Sequence, residues 1–357
     1  MFGVKKAKVF LGATLLIFIL IQKVFADDVS AVTFPRTKKR LGNHLLNYVK
    51  AKWLSYRHNI PLYCPHFKYS DQFMLHRIEK KYYKGLRQKF KKVFYVKRGR
   101  SVSIKVADSC LYKIHLFAHI HFDWEDECFV NEIKKNISPI TPIEKPDIPK
   151  GCISVAVHVR RGGGYDAPLL SGRDDTVTKG RYADKRYPLK FPPDTYFIDQ
   201  IKKLYDLFGK QAMYVYIFTD DKNPEHLLSK YEKAINKKNI TFDSRKNGNS
   251  YNNNVLEDLF AMKHYDCLIR GRSSFAIIAD IIGDFFVVIY PVSKKWNKNN
   301  LIITNVKMKI NMKHFHKLSK LVSPYFLVSG FTPIDKFNVY RIPPKRVKKR
   351  RKKRRKK

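Results

Sequence analysis

Residues 153–165 read ISVAVHVRRGGGY. Apolar side chains fall on both faces of Ile153–Val159, so neither face suits water. A strand of that kind belongs in the middle of a parallel sheet, where both faces are covered. Open α/β sheets bind ligands in the crevice beyond the carboxyl ends of their strands, and His158, Arg160 and Arg161 stand at that end. Guanidinium is planar, always charged and forks onto two phosphate oxygens at once, so an arginine pair at the mouth suits a diphosphate. Gly162, Gly163 and Gly164 let backbone approach the ligand closely. A solvated basic loop is the competing reading of the same residues.

Working outward, the elements alternate. A long loop runs to Pro193, after which Asp194 is placed to cap a helix with Ile198, Ile201, Tyr205 and Phe208 at helical spacing. Residues 213–218 form a second apolar strand ending in Thr219-Asp220-Asp221. Asn223-Pro224-Glu225 then supplies the cap, first-turn proline and acid of another helix. A third helix is expected over 255–267, a fourth over 275–282 behind Ser273-Ser274, and a strand over 285–290. Strand and helix in alternation predict a doubly wound parallel sheet. Upstream, prolines at 139, 142, 146 and 149 mark a linker over 138–151. Residues 45–56 read as an amphipathic helix that follows a Gly42-Asn43 turn. The expected organisation is a leader over 1–26, an N-terminal α/β domain over 27–150, a C-terminal α/β domain over 151–335 and a basic tail over 336–357.

An apolar fraction of 44% in 357 residues supports folded domains with sizeable cores. The formal charge is +42, of which residues 345–357 supply 12 basic side chains interrupted only by Val347. That tail has too little apolar surface to fold, and a tether to an anionic membrane surface is one use for it. The leader has Lys5, Lys6 and Lys8 before an apolar run over 9–21, with Val24 and Ala26 suiting cleavage after Ala26. An uncleaved signal anchor whose lysines snorkel is the alternative. Either way the expected location is membrane-associated, lumenal or extracytoplasmic, the Golgi in a eukaryote. That location argues against nucleic acid as the partner, although basic runs near aromatics are one of its signatures.

Cys64, Cys110, Cys128, Cys152 and Cys267 show no CxxC spacing, which is too sparse for a zinc site. Any disulfide is expected among the first three, with Cys152 and Cys267 acting as small core residues. Asn136 and Asn239 lie in N-x-[ST] sequons.

Four segments collect on one kind of edge, each ending a strand or opening a helix: Gly42-Asn43, 158–164, 219–221 and 270–275. Helix-start N–H groups and the hydroxyls of Ser273 and Ser274 suit phosphate oxygens, while Asp220 or Asp221 can accept from a guanine or a ribose. Each has a plainer explanation, since the aspartates and serines can cap helices and Asn43 can sit in a turn.

Taken together, the segments resemble the α-1,2-fucosyltransferase-like family, which shares motifs with α-1,6- and protein O-fucosyltransferases. Residues 39–48, KRLGNHLLNY, resemble its GRLGNQ-type opening, and 158–165 its HxRRGD segment. Residues 217–221 are similar to its IFSDD-like strand end, and 257–275, EDLFAMKHYDCLIRGRSSF, to its acidic-to-SSF motif. The resemblance covers about two thirds of the chain. It implies an α/β, GT-B-like architecture with two Rossmann-like domains whose parallel sheets face a cleft. The N-terminal domain would then take a glycan acceptor and the C-terminal one the donor GDP-fucose, with inversion at the anomeric carbon and neither cofactor nor metal.

By the same resemblance Arg160 is the catalytic residue, contacting the donor diphosphate. His158, Arg161, Asp220, Ser273 and Ser274 are donor-binding, with Gly42 and Asn43 facing the donor from the first domain. The chain has His44 where the family has Gln, Gly163 near its Asp, Arg272 at its Asn, and Ile277 and Ile278 at aromatic positions. These departures leave another nucleotide sugar open as the donor. They also leave open a second reading, a non-catalytic relative that binds a glycan or an anionic ligand.

Overall fold

The computed structural model describes residues 30–311 and 314, except 37–39, 97–103, 105, 116–117, 119, 121, 125, 162–187, 251–252 and 298–299. The leader, the three adjacent glycines and the basic tail lie outside the described residues.

The N-terminal sheet comprises β1 (Ala31–Thr33), β2 (Leu62–Cys64), β3 (Lys80–Lys81), β4 (Lys92–Val96) and β5 (Cys110–Ile114), in the order β3-β2-β1-β5-β4. Every pairing within it is parallel. Between its strands come α1 (Leu41–His58) and the one-turn α2 (Leu75–Ile78), and α3 (Glu127–Asn136) follows β5. The C-terminal sheet begins with β6 (Ile153–Val159), then α4 (Asp194–Leu207), β7 (Met213–Thr219), α5 (Pro224–Ile235) and β8 (Ile240–Ser244). It continues with α6 (Val255–Met262), β9 (Cys267–Arg270), α7 (Ser274–Ile282) and the hairpin β10 (Val287–Asn297) and β11 (Asn300–Ile310). Its order is β11-β10-β9-β6-β7-β8, parallel except between β10 and β11. The fold is therefore α/β and GT-B-like, with two parallel sheets whose carboxyl edges meet through α1 and α7.

Alternation along β6 and β7 builds two cores. Val155, Val157, Val159, Val215 and Ile217 pack with α4 and α5 on one face. Ala156, Tyr214, Phe218, Leu268 and Val288 point the other way, onto α6 and α7. That second core is continuous with Tyr48, Trp53, Phe129 and Ile133 of α1 and α3, so one apolar interior joins both sheets. The joint is tight at Gly42, where an added methyl would collide with the backbone of Phe275.

Several expectations are corrected. The Gly42-Asn43 pair is not a turn before the helix but part of its first turn, because α1 starts at Leu41. Gly42 is needed there for close approach, not for a left-handed backbone. Asp194 is not the cap of α4; that position is Pro193, and the Asp194 carboxylate is spent elsewhere. The helix expected over 255–267 stops at Met262. Its last residues turn so that Asp266 accepts from Ser154 N–H at 2.9 Å and Oγ at 2.7 Å, and β9 follows. The strand placed over 285–290 starts at Val287 and runs through a bulge at Pro291 and Ser293.

All five cysteines are free thiols in the structure. Asn136 is buried, and its amide donates to Tyr48 Oη at 2.8 Å, so this sequon is closed in the folded chain. Among the described residues no helix is long and apolar enough to cross a membrane.

Candidate functional site

In the C-terminal sheet the chain runs from β6 outward through β7 and β8, then returns to the other side of β6 as β9 and β10. The switch point of such a sheet is the gap between its two directions of winding, here between β6 and β9, and ligands bind beyond it. The register aligns His158 with Phe218 on one side and Arg270 on the other, and Val159 with Thr219. The segments over 158–161, 219–221 and 270–274 therefore share one edge.

His158 is the penultimate residue of β6, with its ring 5.7 Å from that of Phe275. Burial lowers its pKa to about 4, helped by the positive charge of Arg270. It is neutral at physiological pH, and its buried Nδ1 meets no hydrogen-bond partner among the described residues.

The two arginines at the mouth are separated by the structure. Arg160 is half-buried, its guanidinium carbon 5.3 Å from the centre of the Phe191 ring, a cation–π arrangement that holds the group at the mouth of the edge. Arg161 turns inward and is 6% exposed. Its Nη2 donates to Asp194 Oδ1 at 2.6 Å, and its backbone N–H donates to Asp220 Oδ1 at 2.6 Å. Asp194 also accepts from Tyr231 Oη at 2.9 Å and pairs with Lys230 at 3.0 Å. Burial alone would raise the Asp194 pKa, but Arg161 and Lys230 outweigh it and hold the carboxylate below its usual range. Arg161 thus anchors the end of β6 to α4 and α5. An adjacent pair of arginines could not have been sorted into these two roles by sequence, because side-chain direction reverses at each residue of an extended chain.

Asp220 faces Arg40 at 3.9 Å, across from the residue that precedes α1. Asp221 accepts from Asn223 N–H at 3.0 Å, the turn-forming role open to any aspartate before a helix. Ser273 is the cap of α7 and accepts from Ala276 N–H at 3.2 Å, while Ser274 Oγ donates to Asn43 Oδ1 at 2.8 Å. Residues 188–192 lie against the end of β9. An added methyl on Gly271 would sit 3.0 Å from Lys190 O, and Arg272 N–H donates to Leu189 O at 2.7 Å. That contact brings Phe191 beneath Arg160. Arg270 is withdrawn from the mouth: it pairs with buried Asp280 at 2.7 Å and lies 4.4 Å from the Tyr290 ring centre.

Sequence reasoning did not single out Asp258 and Arg245, which pair at 2.8 Å beside the ends of β7 and β8. Burial raises the Asp258 pKa to about 6 even though Arg245 pulls it down. The signal was an acid in the first turn of α6, which reads equally well as a helix-dipole residue. Two surface cavities are lined by none of these residues. One of about 420 Å³ is lined by Trp53, Arg57 and Phe122, and one of about 190 Å³ by Cys64, His76 and Glu79.

The edge thus offers a held guanidinium, a neutral imidazole, a helix start with a polar flank and an aspartate, facing the first turn of α1. Those groups can bind an anion and orient a polyhydroxyl ligand.

No family model matches the chain, and no curated protein matches it. Among solved structures it is similar to a mutant form of Arabidopsis thaliana FUT1 in complex with GDP, at 11% identity over 76% of this chain and 71% of that one, with a TM-score of 0.48. The fucosyltransferase NodZ from Bradyrhizobium is 13% identical over 79% of this chain and 99% of its own, with a TM-score of 0.46. POFUT1 in complex with GDP-fucose is 12% identical over 72% of this chain and 95% of its own, with a TM-score of 0.39.

Proposed function

We propose that this chain is a glycosyltransferase that moves fucose from GDP-fucose to a glycan hydroxyl with inversion. The observation that carries the reading is the placement of Arg160 at the β6/β9 switch point, opposite the α1 turn that Asn43 ties to Ser274. In the reaction the bond from the anomeric carbon to the β-phosphate oxygen breaks, and the electron pair stays on that oxygen. The acceptor oxygen attacks the opposite face of the anomeric carbon and releases its proton to solvent. A fixed guanidinium beside the leaving oxygen stabilises the charge as it develops, in a role a divalent cation fills elsewhere. Ser273, Ser274 and the start of α7 would hold the nucleotide or sugar, with Asp220 accepting from its hydroxyls or base. Arg161 supports the site from below through Asp194 and Asp220.

Release of GDP from GDP-fucose by the full chain, compared with Arg160→Ala, tests the assignment. Turnover abolished in the variant supports it, and equal turnover removes Arg160 from the mechanism. The non-catalytic glycan-binding reading is favoured by one observation, the approach of Arg40 to Asp220, which engages a carboxylate a donor would need. Absence of any turnover with GDP still bound would select that reading.

A further inference from the structure

The N-terminal sheet carries a row of side chains that crosses all its strands at one level. Lys80, Tyr63, Thr33, Lys113 and Tyr95 are register partners on β3, β2, β1, β5 and β4. Their neighbours Val32, Leu62, Tyr112 and Val96 point into the shared core, so the row points to the opposite face. Helix α1 lies against the core face. The chain between β3 and β4 passes across the outer face with a single 3₁₀ turn at Leu86–Lys89, setting Phe90 edge-on to Tyr63 at 6.4 Å.

In this row cations alternate with rings. Lys80 Nζ lies 5.9 Å from the Tyr63 ring centre and Lys113 Nζ 5.8 Å from that of Tyr95. Thr33 forms the buried floor between them, donating to Tyr63 O at 2.7 Å. Tyr95 is 49% exposed, and Tyr83 is also open to solvent. Residues 80–107 contain eleven Lys or Arg and no Asp or Glu. Aromatic side chains with a polar end are suited to surfaces that are half apolar and half wet, and the ammonium groups beside them select negative charge.

We propose that this row is a docking surface for an anionic glycan chain, whose sugar rings lie on Tyr63 and Tyr95 while its carboxylate or sulfate groups pair with Lys80 and Lys113. The choice of a glycan over other polyanions rests on the glycosyl-transfer reading. Thr33 ends β1, which leads through Arg40 into α1, while the row itself lies on the face opposite the core that α1 shares. Charge complementarity and the pairing of each ammonium group with a ring stand independently of that reading.

The test uses the full chain, with a heparin-derived hexasaccharide, inorganic polyphosphate of matched charge, a single-stranded DNA oligonucleotide and GDP as separate titrants. The expected result is that Tyr95→Ala and Lys113→Gln each weaken hexasaccharide binding about tenfold, that Tyr95→Phe binds it as the native chain does, that Tyr95→Ala leaves polyphosphate binding unchanged, and that all three variants bind GDP unchanged. Unchanged melting of Tyr95→Ala, at an exposed position, would show that the loss is local. Hexasaccharide binding that ignores the variants, or is no tighter than polyphosphate binding, overturns the proposal. So does an oligonucleotide that binds more tightly than the hexasaccharide and shows the same variant losses. GDP binding without hexasaccharide binding removes the docking surface and leaves the donor site standing. Variant-sensitive hexasaccharide binding without GDP binding supports the surface and removes the donor site.

Discussion

Asn43 and Ser274 stand 231 positions apart, yet Ser274 Oγ donates to Asn43 Oδ1 at 2.8 Å. The bond joins the first turn of α1 to the first turn of α7, one step from the collision that Gly42 avoids with Phe275. The two halves of the candidate site are therefore positioned by a joint built into the site itself.

Gly42→Ala should destabilise the chain despite the better helix propensity of alanine. The overlap with backbone at Phe275 costs roughly 1–3 kcal/mol and the propensity gain returns about 1 kcal/mol. Asn43→Ala should cost about 1 kcal/mol, and its effect should be less than additive with Ser274→Ala. Urea midpoints of the three single variants and the double variant check this.

Arg161 and Arg160 should separate in their effects. Arg161→Met leaves Asp194 buried beside an incomplete set of partners, at a cost of about 3–5 kcal/mol. Arg160→Ala loses a half-exposed cation–π contact worth about 1 kcal/mol and should melt close to the native chain. Equal losses in chemical denaturation would show that the division between an inner anchor and an outer ligand-facing arginine is wrong.

His158 and Asp258 should impose opposite pH slopes on stability. The folded pKa of His158 is lowered from 6.5 to about 4, so its contribution is complete above pH 6.5 and lost as pH falls towards 4. The folded pKa of Asp258 is raised from 3.8 to about 6, so the folded chain gains stability from it at low pH and loses that gain as pH rises through 6. Each is worth at most about 3 kcal/mol. Relative to the native chain, His158→Gln should gain stability as pH falls from 6.5 to 4. Asp258→Asn should lose it over the same interval. Denaturant midpoints at those two pH values read both signs.

Much of the C-terminal sheet was legible because β6 and β7 are long and apolar on both faces, and Pro224 and Ser273 punctuate the helices that follow. β9 was not, because its four residues continue the apolar run of α6, and the turn between them depends on the distant Ser154. β8 was missed because it is short and half-exposed. In the N-terminal half β1, β2 and β3 are only two or three residues long, too short to show any period. The candidate site was legible as a set of segments on one edge, since strand ends and helix starts leave marks in sequence. The inward turn of Arg161, the ring beneath Arg160 and the Asp258–Arg245 pair are products of packing between segments and leave no such mark.

Isothermal titration of GDP-fucose, GDP-mannose and GDP into the full chain and into Arg160→Ala tests the role of Arg160 in donor binding. Selective binding of GDP-fucose by the native chain is expected, with the affinity for all three nucleotides reduced at least about tenfold in the variant. No binding of any of the three to a folded native chain would contradict it.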